Sequence, residues 1–153
     1  MKTLFAILSL AVFVAAPISA DEGKPAKAPK LAVKEVTVDE AEKLIADTPG
    51  LIVLDVRTPE EFDHEHIKGA VNVNLFDADF EKLIAELDQT KPVLLHCAAG
   101  RRSTGAISQM TGKVKFPQIY HMNEGFSAWK AAKKPFEGKP LPKESKPEEK
   151  PKP

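Results

Sequence analysis

The chain has 153 residues, and its 22 Lys and Arg residues balance 22 Asp and Glu residues, so the formal net charge is zero. This length is typical of a single domain, and a balanced charge gives no electrostatic reason to expect a nucleic-acid partner. The single cysteine excludes an intrachain disulfide and any metal site built from several cysteines. Separately, the sequence contains no pattern that leads us to expect a metal or a cofactor.

The first 20 residues have the three-part pattern of a secretory signal peptide. A positive start at Lys2 precedes an apolar run over residues 4–16, and small residues around Ala20 provide a cleavage site. The run is shorter than the roughly 20 residues that a membrane-spanning helix needs, so we expect cleavage after Ala20 rather than a retained anchor. The sequence therefore predicts an exported, periplasmic protein with no stable membrane insertion after cleavage.

Two polar segments flank the predicted domain at residues 31–134. Residues 21–30 form an arm rich in Lys, Pro and Ala, and residues 135–153 form a tail rich in Lys, Pro and Glu. Neither segment has enough apolar side chains to offset the entropy lost on folding, so we predict a flexible arm and a disordered tail. Tethering of the Lys-rich tail to a surface is the alternative interpretation.

Strand and helix patterns alternate along the domain. Capping boxes over residues 37–40 and 58–61 predict two helix starts, and continuous apolar runs bounded by turn residues predict strands buried on both faces. We predict strands at residues 32–36, 51–54, 70–73, 92–96 and 118–120, and further helices at 76–87, 103–110 and 125–132. This alternation predicts an α/β fold with three layers, in which a mostly parallel sheet of about five strands carries helices on both faces.

Cys97 lies at the carboxyl end of the strand predicted at 92–96, where open α/β sheets bind their ligands. The loop that follows consists of Ala98, Ala99, Gly100, Arg101 and Arg102, and leads to Ser103 at the start of a helix. Its small residues allow backbone N–H groups to form an anion cradle, and these groups together with the arginines favour the thiolate. An inert buried thiol is the alternative, but an exported protein meets an oxidising compartment in which a stray thiol is a liability.

Four segments together resemble the motifs of single-domain rhodaneses, a family of thiosulfate sulfurtransferases. They occur at residues 54–62, 66–72, 96–103 and 125–129, in the order and spacing of that family. The resemblance extends over roughly residues 31–134 and is closest to small exported members with one domain behind a signal peptide. One departure is Glu124 before Gly125, where the family often has two glycines. The resemblance implies a rhodanese-like fold.

The resemblance also implies an activity. Cys97 would take the outer sulfur of thiosulfate as a persulfide, release sulfite and pass the sulfur to a thiol or cyanide. The backbone N–H groups from Ala98 to Ser103 would hold the persulfide, Arg102 would position the sulfonate, and Arg101 would assist or line the entrance. The expected partners are a small anionic sulfur donor and a thiol or cyanide acceptor, and the expected state is a monomer.

Two alternative functions use the same loop. The first is a persulfide carrier or sulfur-binding module that turns over little thiosulfate. The second is a rhodanese-fold phosphatase or redox protein. Phosphatases of this fold have arginine after five intervening residues, whereas this chain has Ser103 at that position and Arg102 one place earlier. The loop from Cys97 to Arg102 is thus one residue shorter, and a smaller loop suits a single sulfur atom rather than a phosphate. The two arginines of the loop favour thiosulfate over mercaptopyruvate as the donor.

Two further charged residues lie near the turn after the strand at 51–54. We expect Asp55 and Arg57 to give structural support, with Arg57 paired to Glu60 or Glu61, and a place for Asp55 at the mouth of the site is the alternative. His96 directly precedes Cys97 on a strand, so its side chain is expected to point the opposite way, into the packing. A general base at His96 is therefore not expected.

Overall fold

The computed structural model describes residues 31–139. The signal peptide predicted at residues 1–20, the arm at 21–30 and most of the predicted tail lie outside the described residues. Within the described part, none of the helices has the length and apolar character needed to cross a lipid bilayer.

Strands and helices alternate along the described chain. In chain order they are β1 (Val33–Glu35), α1 (Val38–Asp47), β2 (Ile52–Asp55), α2 (Pro59–His64), β3 (His66–Ile67), β4 (Val71–Asn72), α3 (Phe80–Glu86), β5 (Val93–His96), α4 (Arg101–Met110), β6 (Ile119–His121), α5 (Gly125–Ala131) and β7 (Phe136–Glu137). β1, β6, β5, β2 and β4 lie side by side in that order in a parallel sheet. The predicted α/β fold with a five-stranded sheet is confirmed.

Helices cover both faces of the sheet. Leu54 and Leu95 point to one face, where they pack with side chains of α3 and α4. Val53 and Leu94 point to the opposite face, where they pack with side chains of α1 and α5. Because successive strand residues alternate between faces and both faces are covered, the central strands need apolar residues at every position. This explains the continuous apolar runs in the sequence and places β5 at the centre of the molecule.

Both predicted capping boxes form. At the start of α1, the Thr37 hydroxyl accepts a hydrogen bond from the Glu40 backbone N–H, and the Glu40 carboxylate accepts one from the Thr37 N–H. The same reciprocal pair forms between Thr58 and Glu61 at the start of α2, with Pro59 at the first helical position. These local bonds satisfy N–H groups that have no partner inside the helix, and they fix where the chain leaves β1 and β2.

α3 begins at Phe80, four residues later than the sequence pattern predicts. The side chain of Asn74 accepts a hydrogen bond from the Phe76 N–H, and that of Asp77 accepts one from the Asp79 N–H. Such side chain-to-backbone bonds form turns that compete with helix. Phe76 therefore lies in a turn with 70% of its surface exposed, instead of contributing to the apolar face of a helix.

A second, two-stranded sheet extends the domain beyond the predicted boundary at residue 134. Strand β7 pairs antiparallel with β3. Phe136 on β7 packs edge-on against Phe126, and the ammonium of Lys130 lies over the Phe136 ring. A disordered tail starting at residue 135 is therefore wrong for these first residues, because a two-residue strand with one aromatic anchor leaves no periodic pattern in the sequence.

Candidate active site

Cys97 follows directly after β5, at the carboxyl edge of the sheet. The chain then turns at Gly100, whose φ of 84° is in the left-handed region, and enters α4 at Arg101, two residues earlier than predicted. A Cβ atom at Gly100 would lie 2.1 Å from the Asn123 side-chain oxygen, so only glycine fits there. The loop therefore closes tightly around the sulfur, and Arg101 and Arg102 form the first turn of α4.

Hydrogen-bond donors surround the sulfur of Cys97, which is 1% exposed. The Ser103 hydroxyl lies 3.5 Å from the sulfur, and the backbone N–H groups of Ser103, Ala99 and Arg102 also donate to it. Burial raises the pKa of the Cys97 thiol, but these hydrogen bonds together outweigh burial and the net shift of the pKa is downward. The loop therefore favours the thiolate, which is the reactive form of cysteine.

The N-terminus of α5 holds the carbonyl groups of the same loop. The Phe126 N–H donates to the Cys97 carbonyl at 2.8 Å, and the Ser127 N–H donates to the Ala98 carbonyl at 3.0 Å. Because these carbonyls are turned toward α5, the loop N–H groups remain available to the sulfur. Gly125, with a φ of 70°, allows this approach, since a Cβ atom there would lie 2.4 Å from the Ala98 carbonyl oxygen.

Glu124, the residue that departs from the sequence motif, makes a structural contact. Its carboxylate accepts a hydrogen bond of 3.2 Å from the Val38 N–H at the start of α1. Glu124 therefore connects the start of α5 to α1 on one face of the sheet. The close approach of Gly125 to the Ala98 carbonyl is retained.

A cavity of about 470 Å³ opens over the cysteine. Its lining residues are Leu75, Phe76, Cys97, Ala98, Ala99, Arg101 and Arg102. Leu75 and the exposed Phe76 supply an apolar rim, and the guanidinium groups supply positive charge beside it. The sequence does not predict this rim, because the spacing of Phe76 is that of a helical residue. An anion with its reacting atom over Cys97 fits this arrangement of charge.

The two arginines of the loop have different surroundings. Arg102 makes a bidentate ion pair with Glu61 of α2, with N–O distances of 2.5 and 2.8 Å. The Arg102 hydrogen bonds lower the pKa of Glu61 to about 2. The Arg101 side chain is exposed at the cavity. Substrate binding by either arginine stays a prediction, but the geometry makes Arg101 the more available cation and gives Arg102 a structural partner.

Asp55 and Arg57 form a buried pair away from the cavity. Their closest N–O distance is 2.7 Å, and the Arg57 guanidinium also donates to the Glu65 carbonyl at 2.6 Å. The same guanidinium lies 4.3 Å from the ring centre of Phe126. The predicted pairing of Arg57 with Glu60 or Glu61 is wrong, because the Asp55 carboxylate is closer and fully buried. These contacts give Asp55 and Arg57 the structural role that the sequence predicts.

His96 points away from the sulfur, as predicted from the alternation of a strand. Its ring is fully buried and stacks on Phe126, and its Nδ1 atom lies 3.3 Å from the Cys97 carbonyl. Burial lowers the pKa of His96 more than the nearby Asp55 raises it, so the ring is neutral. It supports the loop from behind and does not reach the reacting atom. Within residues 31–139, no group of three or more potential ligand side chains is arranged to hold a metal ion.

Comparison with known proteins identifies the family. The profile of the rhodanese-like domain matches residues 37–132, and the chain belongs to this family. The thiosulfate sulfurtransferase GlpE of Pseudoalteromonas translucida is 28% identical over 102 residues, which is 67% of this chain and 93% of that protein. The protein of the same name from Pseudomonas syringae pv. syringae is 34% identical over 82 residues, which is 53% of this chain and 74% of that protein.

Solved structures confirm the fold. A rhodanese-related protein from Thermoplasma volcanium superposes with a TM-score of 0.59 and 20% identity, covering 69% of this chain and 99% of that chain. A thiosulfate sulfurtransferase from Pseudomonas aeruginosa superposes with a TM-score of 0.56 and 17% identity, covering 69% of this chain and 20% of that chain. The resemblance found in the sequence motifs is therefore confirmed at the level of family and fold.

Proposed function

We propose that the protein is a sulfurtransferase that carries a sulfane sulfur from thiosulfate to a thiol or cyanide as a persulfide on Cys97. The observation that carries this proposal is the surroundings of the Cys97 sulfur. Backbone N–H groups and a hydroxyl converge there on a thiol of lowered pKa, beneath a cavity that the exposed Arg101 lines. The relatives named thiosulfate sulfurtransferase support thiosulfate as the donor.

In the first step, the Cys97 thiolate attacks the outer sulfur of thiosulfate. A new sulfur–sulfur bond forms to Cys97, the bond between the two sulfurs of thiosulfate breaks, and sulfite leaves with the electron pair of that bond. The terminal sulfur of the persulfide carries the negative charge. The N–H groups of Ala99, Arg102 and Ser103, which donate to the Cys97 sulfur, would stabilise that charge, as preorganised donors do for other anionic intermediates.

In the second step, the acceptor attacks the terminal sulfur of the persulfide. Cyanide leaves as thiocyanate, or a thiolate leaves as its own persulfide, and the electron pair of the broken bond returns to Cys97 as the thiolate. Because the donor product departs before the acceptor reacts, the two substrates should show ping-pong kinetics. The same N–H groups serve both the thiolate and the persulfide, so the loop need not rearrange between the steps.

The cavity is larger than thiosulfate or cyanide needs. Its volume of about 470 Å³ falls in the range of sites for organic ligands, and thiosulfate has only five heavy atoms. The apolar rim of Leu75 and Phe76 would contact the carbon skeleton of an organic thiol, whereas cyanide gains nothing from it. We therefore favour a thiol as the natural acceptor, with cyanide as a convenient substitute in an assay.

The test of the proposed function is an assay of thiocyanate formed from thiosulfate and cyanide, run beside an assay of phosphate-ester hydrolysis with the same preparation. We expect thiocyanate formation with parallel double-reciprocal plots and no phosphate release. Phosphate release without thiocyanate would support the phosphatase alternative. Neither product, together with a stable persulfide on the isolated protein, would support the sulfur carrier.

The neighbouring arginines of the loop provide a matched pair of variants. Arg101→Ala should lower kcat/KM for thiosulfate by about fivefold to tenfold, because it removes the exposed cation at the cavity. Arg102→Ala should lower the free energy of unfolding by up to about 1 kcal/mol, because it removes the half-buried partner of Glu61, and should affect kcat/KM less. Steady-state kinetics and urea unfolding measure both effects. A larger loss of kcat/KM in Arg102→Ala than in Arg101→Ala would mean that Arg102, not Arg101, binds the sulfonate of thiosulfate.

We also propose that the protein is exported to the periplasm through its first 20 residues. Their charged start, apolar run and small residues before Asp21 support this proposal. N-terminal sequencing of the protein from a cell envelope fraction should begin at Asp21. Full-length protein recovered from the cytoplasm would contradict export, while leaving the chemistry at Cys97 unaffected.

A further inference from the structure

The Ser103 hydroxyl lies at the meeting point of three polar groups. Its oxygen is 3.5 Å from the Cys97 sulfur, 2.8 Å from the Gly100 carbonyl oxygen and 2.8 Å from Nε2 of His121. Ser103 is fully buried and His121 is 3% exposed, so water does not compete for these contacts. The proposed reaction gives Ser103 a role at the sulfur, but it leaves the buried His121 without one.

The number of protons at Ser103 and His121 limits these hydrogen bonds to two arrangements. A serine hydroxyl has one proton to donate, and the Gly100 carbonyl can only accept. If His121 Nε2 lacks a proton, it accepts the hydrogen bond of the Ser103 hydroxyl, and the sulfur then has no donor from Ser103. If Nε2 carries the proton, His121 donates to the Ser103 oxygen, and the Ser103 proton is free to serve the Gly100 carbonyl or the sulfur. Only the second arrangement allows the Ser103 hydroxyl to donate a hydrogen bond to the negatively charged sulfur of Cys97.

We propose that His121 is a positioning residue for the nucleophile, whose Nε2–H donates to the Ser103 oxygen and so leaves the Ser103 proton available to the sulfur of Cys97. The relay runs from His121 through Ser103 to Cys97 and adds a side-chain donor to the backbone N–H groups around the sulfur. It would act on the thiolate and on the persulfide, since both place negative charge on sulfur at this site.

The position of His121 supports this role. It ends β6, between Leu95 of β5 and Glu35 of β1 in the register of the sheet. Burial lowers the pKa of His121 more than the opposing charge of Glu35 raises it, so the ring is neutral and has a single N–H. A neutral ring contributes a hydrogen-bond donor without placing a second positive charge inside the domain. The tautomer therefore determines whether the relay exists.

The test measures the thiol pKa of Cys97 in the free protein by the pH dependence of thiolate absorbance and of alkylation rate. His121→Gln keeps an N–H donor at the reach of Nε2, and His121→Met has similar length and no donor. We expect Ser103→Ala and His121→Met each to raise the thiol pKa, by up to about one unit, and His121→Gln to keep it near the wild-type value. A purely structural role would make the Gln and Met variants alike, which would overturn the proposal.

A double-mutant cycle separates the relay from two independent effects. Because His121 acts through Ser103, the Ser103→Ala/His121→Met variant should have the thiol pKa of Ser103→Ala alone, and additive shifts would contradict the relay. If His121→Met does not fold, the tautomer of His121 in the wild-type protein is the deciding measurement. Nitrogen NMR should show the proton of the neutral ring on Nε2. A proton on Nδ1 would overturn the proposal. The inference rests on Cys97 as the proposed nucleophile, but these measurements need no turnover, so its failure is distinguishable from failure of the sulfurtransferase proposal.

Discussion

Replacing Cys97 by serine should reduce thiocyanate formation from thiosulfate and cyanide by more than about a thousandfold, because loss of a covalent nucleophile removes the reaction path itself. Serine is close in shape to cysteine, and the donors around the site can also bond a hydroxyl, so the fold should survive. The measurement is the initial rate of thiocyanate formation, together with a urea unfolding curve of the same sample.

A matched control for Cys97→Ser is Ser108→Ala. Ser108 is exposed on α4, and its hydroxyl donates to the Thr104 carbonyl of its own helix. This variant should keep the wild-type rate. Residual activity of a few per cent in Cys97→Ser, with Ser108→Ala unchanged, would show that sulfur transfer does not depend on a persulfide at Cys97.

The largest loss of stability is expected from Gly125→Ala. The glycine has a φ of 70°, and an added Cβ atom would lie 2.4 Å from the Ala98 carbonyl oxygen and 2.7 Å from the Cys97 carbonyl oxygen. Both contacts are with backbone, which cannot turn aside as a flexible side chain can. We expect a loss of at least about 3 kcal/mol in the free energy of unfolding, together with loss of activity, because the loop must move away from α5.

Gly112→Ala separates the two causes of this loss. Gly112 has a φ of 79°, close to that of Gly125, but nothing lies within 4 Å of a Cβ atom built there. Its replacement should cost only the backbone strain, about 1–2 kcal/mol. Denaturant unfolding of both variants measures the difference. Equal losses would mean that strain alone matters and that the contact between Gly125 and the cysteine loop is relaxed in solution.

The fold could be predicted because its signals are local. Continuous apolar runs identified β2 and β5, and the capping boxes at Thr37 and Thr58 fixed the starts of α1 and α2. Where α3 begins at a different residue from the predicted one, the cause is side chain-to-backbone hydrogen bonds, which the apolar pattern does not reveal. Phe76 has the spacing of a helical residue, but the side chains of Asn74 and Asp77 bond the backbone there and delay α3.

The site could be predicted only in part, for a similar reason. Cys97 and its loop are contiguous in the sequence, so their role as a cradle follows from local composition. The partner of Arg102 is Glu61, which lies 41 residues away on α2. The sequence pattern predicts only the capping role of Glu61, which its carboxylate also fulfils. Likewise, nothing in the sequence brings His121 to Ser103, because that contact depends on the parallel pairing of β5 and β6.

The most direct test of the persulfide mechanism is the intact mass of the purified protein after incubation with thiosulfate and again after addition of cyanide. We predict a gain of about 32 Da, the mass of one sulfur atom, that maps to Cys97, is absent in Cys97→Ser and disappears with cyanide as thiocyanate forms. An unchanged mass while thiocyanate accumulates would contradict a persulfide intermediate. A gain that cyanide does not remove would make the protein a sulfur carrier rather than the proposed enzyme.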